Sequence, residues 1–189
     1  MFVPVVVLFW EASGLTTWDI YVLQALFALS VVLLEVPTGM VADRLGKRTS
    51  LLLAQVIITA GFAWYAVADG FLPFLLAEVI IALGAALLSG ADSALLFDSL
   101  KAEGREAEFT QQMGRNQGIR MVSFAVCTLL GGLVAVESLR LTMWLSAVGP
   151  ALAVLVVWRM VEVQPVQARR PMREAVSYTH LRAHETTDN

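Results

Sequence analysis

The sequence predicts an all-α membrane protein, built as a bundle of six transmembrane helices. Of the 189 residues, 58% are hydrophobic and only 15% are charged, whereas soluble domains average about 45–50% apolar and about 25% charged residues. Five apolar runs reach or approach the roughly 20 residues that a spanning helix needs. The cations of the connecting segments are concentrated on alternate connections, which is typical of a membrane bundle.

The same composition excludes several other classes of protein. The chain has 13 Lys+Arg and 16 Asp+Glu, a net charge of −3, so it lacks the basic excess of a nucleic-acid-binding protein. The high apolar content excludes a disordered chain. Cys127 is the only cysteine, so no internal disulfide can form.

The first element is the apolar run Met1–Trp10, which is too short to cross a membrane by itself. We interpret it as the outer end of a first helix that is truncated in this sequence. A short interfacial or re-entrant segment is the alternative. Glu11 follows this run and is a candidate substrate or proton site, with a simple solvated carboxylate as the other interpretation.

Five further apolar runs account for the spanning helices. They cover residues 20–42, 51–68, 71–88 (continued by small residues to 94), 119–136 and 141–157. Short connections between them make successive helices antiparallel neighbours. Only the connection 98–118 is long, and its polar composition predicts an amphipathic helix that lies at the membrane surface.

Loop charge predicts which side of the membrane each connection faces. Within residues 1–175, eleven cations belong to three segments: 43–50, 98–118 with the helix start that adjoins it, and the C-terminal segment. Arg140 alone lies on the opposite side. The positive-inside rule therefore places these three segments in the cytoplasm. We expect a multi-pass protein of the cell inner (plasma) membrane, in contact with the lipid bilayer.

The strongest local signal is the segment Gly39–Leu51, G-M-V-A-D-R-L-G-K-R-T-S-L, between the second and third helices. It resembles the signature loop of the major facilitator superfamily of secondary transporters, G-x-L-a-D-R-x-G-R-K-x-x-L. The resemblance implies that residues 1–163 form the N-terminal six-helix half of a twelve-helix fold. It also implies that residues 164–175 begin a cytoplasmic linker, and that a C-terminal six-helix half is missing from this sequence.

The signature loop also has a physical interpretation of its own. Gly39 removes a side chain where two helices approach closely, and Gly46 permits a positive φ angle. Asp43 can lie against a helix N-terminus, whose partial charge favours an anion. The resemblance implies that this loop is a conformational latch between the two halves, whereas the alternative is that its charges only set the topology. The latch residues are Gly39, Asp43, Arg44, Gly46, Lys47 and Arg48.

Ionisable side chains at membrane depth cost about 2.5–3.5 kcal/mol on insertion scales and are candidates for function. Glu78, about seven residues into the fourth helix, is the main candidate for binding a cationic substrate group or a proton. The alternative is that Glu78 only pairs with a group on a neighbouring helix near the outer face. Glu35 and Asp92 lie near inner helix ends, where we expect structural ion pairs with one of three cations. These cations are Arg44, Arg48 and Arg120.

The end of the chain changes character abruptly. Residues 176–186, V-S-Y-T-H-L-R-A-H-E-T, resemble the translated adapter of shotgun sequencing libraries, so we expect 176–189 to be non-native. Both histidines, His180 and His184, lie in this tail, and their spacing does not match the H-E-x-x-H pattern of a zinc site. We therefore expect no metal site and no cofactor.

These observations and the resemblance predict secondary active transport of a small solute by alternating access, with a proton or Na⁺ as coupling ion. We expect the protein not to be an enzyme, because residues 1–175 contain no histidine and one cysteine. A non-transporting scaffold or receptor subunit on the same fold stays open. A channel is disfavoured because no polar stripe is present to line a pore. With one wall of its cavity missing, this sequence is expected to be inactive alone.

Overall fold

The computed structural model describes residues 2–160, and every long element in this range is an α-helix. The helices are α1 (Phe2–Ala12), α2 (Thr17–Leu45), α3 (Lys47–Val67), α4 (Phe71–Ala102), α5 (Phe109–Glu137) and α6 (Leu139–Arg159). Five of them, α2 to α6, are long and apolar enough to cross a membrane. The predicted all-α fold class is confirmed. Residues 161–163 of the predicted bundle, the predicted linker 164–175 and the predicted tail 176–189 lie outside the described residues.

The ends of α2 follow from local sequence. Thr16 and Asp19 form a capping box, in which the Thr16 hydroxyl accepts a hydrogen bond from the Asp19 N–H and the Asp19 carboxylate accepts one from the Thr16 N–H. At the other end, Gly46 has a φ of 87° and separates α2 from α3 by a single residue. The positive φ predicted for Gly46 is therefore confirmed, and α2 turns directly into α3.

The connection between α4 and α5 differs from the prediction. Helix α4 continues to Ala102 and α5 begins at Phe109, so only 103–108 connect them, with a 3₁₀ turn at Glu106–Glu108. The prediction of a separate surface helix over 98–118 is therefore wrong. The two spanning helices continue instead, because adding one residue to an existing helix is easier than nucleating a new one. The Arg105 guanidinium holds this connection through Glu103 and Glu108, and these hydrogen bonds raise its pKa above the usual value.

The contacts between helices form an inverted repeat that the sequence does not reveal. Helix α4 packs mainly against α2 and α3, and α6 packs against α3. If α1, α2 and α3 are exchanged with α4, α5 and α6, every contacting helix pair maps onto a contacting pair, and α3–α6 maps onto itself. For example, α2–α4 maps onto α5–α1, and α3–α4 maps onto α6–α1. Short connections make successive helices antiparallel, and each unit has three helices, so the two units have opposite orientation, as in many transporter folds.

Two glycines mark a close approach between α3 and α4. A Cβ atom added at Gly84 would lie 2.5 Å from Ile58 Cγ1 and 3.0 Å from the Ala54 carbonyl oxygen. A Cβ atom at Gly61 would lie 2.5 Å from Ile81 Cγ1. Gly39, which we expected to mark a close approach, has no such neighbour within 4 Å. That expectation is wrong for the described bundle, because the small residues of α3 and α4 make the tight contact instead.

Candidate functional site

The first candidate site is the turn between α2 and α3 on the predicted cytoplasmic side. Lys47 and Arg48 are the first two residues of α3 and extend to two different helices. The Lys47 ammonium forms an ion pair with the Asp98 carboxylate of α4. The Arg48 guanidinium donates from Nε to the Val157 carbonyl at 3.2 Å and from Nη2 to the Trp158 carbonyl.

The contact of Arg48 with α6 has a clear electrostatic basis. Val157 and Trp158 lie in the last turn of α6, where carbonyl groups lack partners within the helix and carry its partial negative charge. The Arg48 guanidinium donates to the Trp158 carbonyl and adds a second donor at the Val157 carbonyl, which also accepts from the Met160 N–H at 3.1 Å, and its charge offsets that of the helix end. Lys47 and Arg48 thus tie the start of α3 to α4 and to the end of α6, within one bundle.

Two charged residues of the predicted latch, Arg44 and Asp43, precede this turn at the end of α2. Arg44 is exposed in the last turn of α2, where its charge complements the helix dipole. The side chain of Asp43, predicted to lie against a helix N-terminus, falls outside the described part of the structure. The latch between two halves therefore stays a prediction, and the contacts observed here are those of a clamp within one half.

The predicted intrabundle charge pairs are absent from the ion pairs of residues 2–160. These ion pairs are Lys47–Asp98, Arg105–Glu103, Arg105–Glu108 and Arg140–Asp69. Glu35, Asp92 and Arg120 take part in none of them, and all three are exposed. Sequence reasoning missed Asp98 because it assigned this residue to a loop. Extending the fourth helix by two turns would have placed Asp98 beside the start of α3.

The second candidate site is a buried carboxyl group in the predicted outer half of the bundle. Glu78 is 3% exposed, and the hydroxyl of the fully buried Tyr65 donates a hydrogen bond to its Oε1 at 2.5 Å. The Phe74 ring stacks on Tyr65 with 5.5 Å between centroids. The indole of Trp10 is 6.3 Å from the same ring, and its buried N–H has no partner at normal hydrogen-bond geometry.

Burial without a countercharge makes Glu78 unusual among the carboxylates of the described bundle. A buried carboxyl needs hydrogen bonds or a cation to offset its lost hydration, and Tyr65 supplies one such bond. Glu11, the other predicted substrate or proton group, is exposed at the end of α1. Sequence reasoning missed Tyr65 and Trp10 as neighbours of Glu78, although the short connection 68–70 makes α3 and α4 antiparallel neighbours.

A third feature is a cavity of about 300 Å³ in the predicted inner half, between α3, α4, α5 and α6. Asp92 lines it together with the carboxamides of Gln55 and Asn116 and the hydroxyl of Ser99. Glu78 is not among its lining residues. The two intramembrane carboxylates therefore belong to separate places in the bundle.

A family model described as Major Facilitator Superfamily matches residues 1–185. The chain belongs to the major facilitator superfamily. This confirms the resemblance found in the signature loop and agrees with the inverted contacts of the helices. No curated protein and no solved structure matches the chain.

Membership of the major facilitator superfamily makes this chain a multi-pass membrane protein of a transporter family. Proteins of this family are transporters rather than enzymes. Among the described residues, no group of three or more His, Cys, Asp or Glu side chains could hold a metal ion.

Proposed function

We propose that this major facilitator chain is one of two six-helix halves of a secondary transporter, which moves a small solute by alternating access. The observation that carries the proposal is the inverted set of helix contacts. Transporters built from such repeats work by rocking one rigid bundle against another around a binding site near the membrane midplane. We place the protein in the inner membrane, with segments 43–50 and 98–118 and the C-terminal segment in the cytoplasm.

The exposed faces of two helices support a second half as the partner. Helices α2 and α5 are the least buried of the five spanning helices, and they are equivalent under the exchange that defines the inverted repeat. Both expose many apolar side chains. Those of α2 include Val32, Leu33, Val36 and Met40, and those of α5 include Met121, Val122, Leu129 and Leu133. We propose that the missing C-terminal half covers part of this surface and that lipid covers the rest.

Glu78 is the group that we propose to couple solute movement to an ion gradient. It is buried, it has one hydrogen-bond donor in Tyr65, and a carboxyl at membrane depth is a functional candidate by default. A proton or Na⁺ bound there would neutralise the carboxylate inside the bundle. Glu11, exposed at the outer end of α1, is the proposed first contact for a cationic solute or ion from outside.

The test uses membrane vesicles that contain the complete reading frame, so that both halves are present. Uptake of labelled amines, amino acids, sugars and carboxylates is measured with an imposed proton or Na⁺ gradient. We expect one solute class to accumulate with one of the two gradients. We expect Glu78→Gln to lower gradient-driven uptake at least about tenfold, since a neutral amide cannot carry the ion. Glu106→Gln, a change in the exposed α4–α5 connection, is the matched control.

Each part of the proposal can fail separately. Vesicles that take up no solute in a protein-dependent way would contradict the transport function. Uptake that is unchanged in Glu78→Gln would leave transport standing and remove the coupling role of Glu78. The chain of residues 1–189 expressed alone is expected to give no uptake, and uptake by that chain would contradict the need for a second half.

A further inference from the structure

The inner cavity has a composition that selects for one charge type. Its volume of about 300 Å³ is at the lower end of the range for small-molecule pockets, about 300–1,000 Å³. Among the described residues that line it, Asp92 is the one charged side chain. The other polar lining residues are Gln55, Ser99 and Asn116, and the rest are leucines, a valine and a methionine.

Asp92 differs from its neighbour Asp98 on the same helix. Asp98 is ion-paired with Lys47 near the end of α4. Asp92 is six residues earlier, hence about 9 Å deeper along the helix axis, and it takes part in none of the ion pairs found within residues 2–160. A carboxylate at this depth without a cation is expensive unless a ligand or water serves it. The carboxylate is exposed to the cavity region rather than packed away.

The arginines that we expected to pair with Asp92 have other positions or contacts in the described bundle. Arg48 donates to the terminal carbonyls of α6. Arg120 lines a different surface depression on α5, with Gln117, Met121 and Phe124. Arg44, the third predicted partner, is exposed in the last turn of α2. Among the described side chains the predicted ion pair of Asp92 is therefore not formed, which leaves its charge available to a ligand.

We propose that this inner cavity binds a small monovalent organic cation, a protonated amine with an apolar body, through the Asp92 carboxylate. Its leucines and valine provide the surface for the apolar body. The carboxamides of Gln55 and Asn116 can accept further N–H groups, whereas the Ser99 hydroxyl already donates to the Leu95 carbonyl at 2.7 Å. A single carboxylate balances one positive charge and repels an anion. The role of this site rests on the proposed transport function, but binding itself does not require transport.

The test is protection of an engineered thiol in the cavity. Every cysteine of the complete protein, Cys127 included, is replaced by serine, and Ser99→Cys then places one reactive thiol at the cavity wall of the protein in nanodiscs. The rate of maleimide labelling is followed with 3-phenylpropylammonium as the probe and 3-phenylpropanol as its neutral counterpart. We expect the ammonium to slow labelling at concentrations roughly 10- to 100-fold lower than the alcohol, as a charge-assisted hydrogen bond would provide.

Two variants assign this preference to one carboxylate. Asp92→Asn should abolish the difference between ammonium and alcohol, because it keeps the shape of the side chain and removes the charge. Asp92→Glu should retain a preference for the ammonium. Glu106→Gln removes a carboxylate from the exposed connection on the same side and should leave the full difference intact.

Several outcomes would overturn the proposal. One is equal protection by the two probes in the parent protein. Another is a thiol that does not react before any probe is added, since this would mean that protein fills the cavity. A preference for the ammonium that survives Asp92→Asn would assign binding to another group. Solute uptake measured in parallel separates the proposals: protection without uptake contradicts the transport function alone, and uptake without protection contradicts this site alone.

Discussion

Replacing Gly84 by alanine places a methyl group in the tightest contact between α3 and α4. The new Cβ atom would lie 2.5 Å from Ile58 Cγ1, 3.0 Å from the Ala54 carbonyl oxygen and 3.2 Å from the Ile58 backbone nitrogen. Real Cβ atoms do not approach carbon atoms this closely, and two of the three neighbours are backbone atoms that cannot rotate away. The two helices must therefore separate locally, and the contacts on either side of Gly84 are weakened.

The magnitude can be isolated with a matched glycine. Overpacking of a well-packed site costs about 1–3 kcal/mol, while alanine is better than glycine in a helix by about 0.8–1 kcal/mol. Gly132 lies within α5 and has no such neighbour within 4 Å of its added Cβ atom, so Gly132→Ala reports the helix propensity alone. The difference between Gly84→Ala and Gly132→Ala removes the propensity contribution. We expect Gly84→Ala to be the less stable of the two by about 1–3 kcal/mol.

The assay is reversible unfolding of the purified protein in mixed micelles with increasing dodecyl sulfate, followed by circular dichroism and tryptophan fluorescence. Gly61→Ala should fall between the two variants, because its close neighbours are side-chain atoms of Ile80 and Ile81. Ile58→Ala should suppress part of the defect of Gly84→Ala. Equal unfolding free energies for Gly84→Ala and Gly132→Ala would refute the close packing of α3 on α4 on which this reasoning depends.

Three further predictions use the same unfolding assay or amide hydrogen exchange. Tyr65→Phe should lower the free energy of unfolding by about 0.6–1.7 kcal/mol, the range for hydrogen bonds inside membranes, and an unchanged value would mean that Glu78 does not need this donor. Lys47→Asp and Asp98→Lys should each destabilise the protein by more than the roughly 1 kcal/mol of an exposed pair, because both side chains are partly buried. The double exchange should recover stability, and a double variant no better than the weaker single one argues against the pair. Arg48→Gln should speed amide hydrogen exchange in the last turn of α6, and unchanged exchange there excludes the clamp.

The number and order of the spanning helices could be predicted because hydropathy reports directly on the membrane. The ends of the helices were harder to predict, as α4 and α5 show. Helix α4 continues beyond its apolar part to Ala102, and α5 begins at Phe109, before its apolar part. Hydropathy carries no signal for a helix that continues into water. Gly46 was predicted correctly because positive φ is a local property of one residue.

The partners of the charged residues could be predicted only where position along the chain implies position in space. Lys47 was expected to act in the signature loop, but its partner is Asp98, 51 residues away. Glu78 was recognised as a candidate by its depth, yet its donor Tyr65 is a residue type that fits any membrane helix. Such pairs depend on which helix faces are in contact, and the hydropathy of single runs does not contain that information.

Helices α3 and α4 contact each other at three levels along the membrane normal, and these contacts limit how the bundle can move. Tyr65 bonds Glu78 at the predicted outer level, the contact at Gly84 joins the helices in the middle, and Lys47 pairs with Asp98 at the inner end. Between the first and last contacts α3 spans 18 residues, about 27 Å at 1.5 Å per residue, close to the roughly 30 Å of a hydrocarbon core. Two helices joined over that length resist sliding and tilting against each other. We therefore expect α3 and α4 to move as one body, and α2, which packs on α4, to move with them.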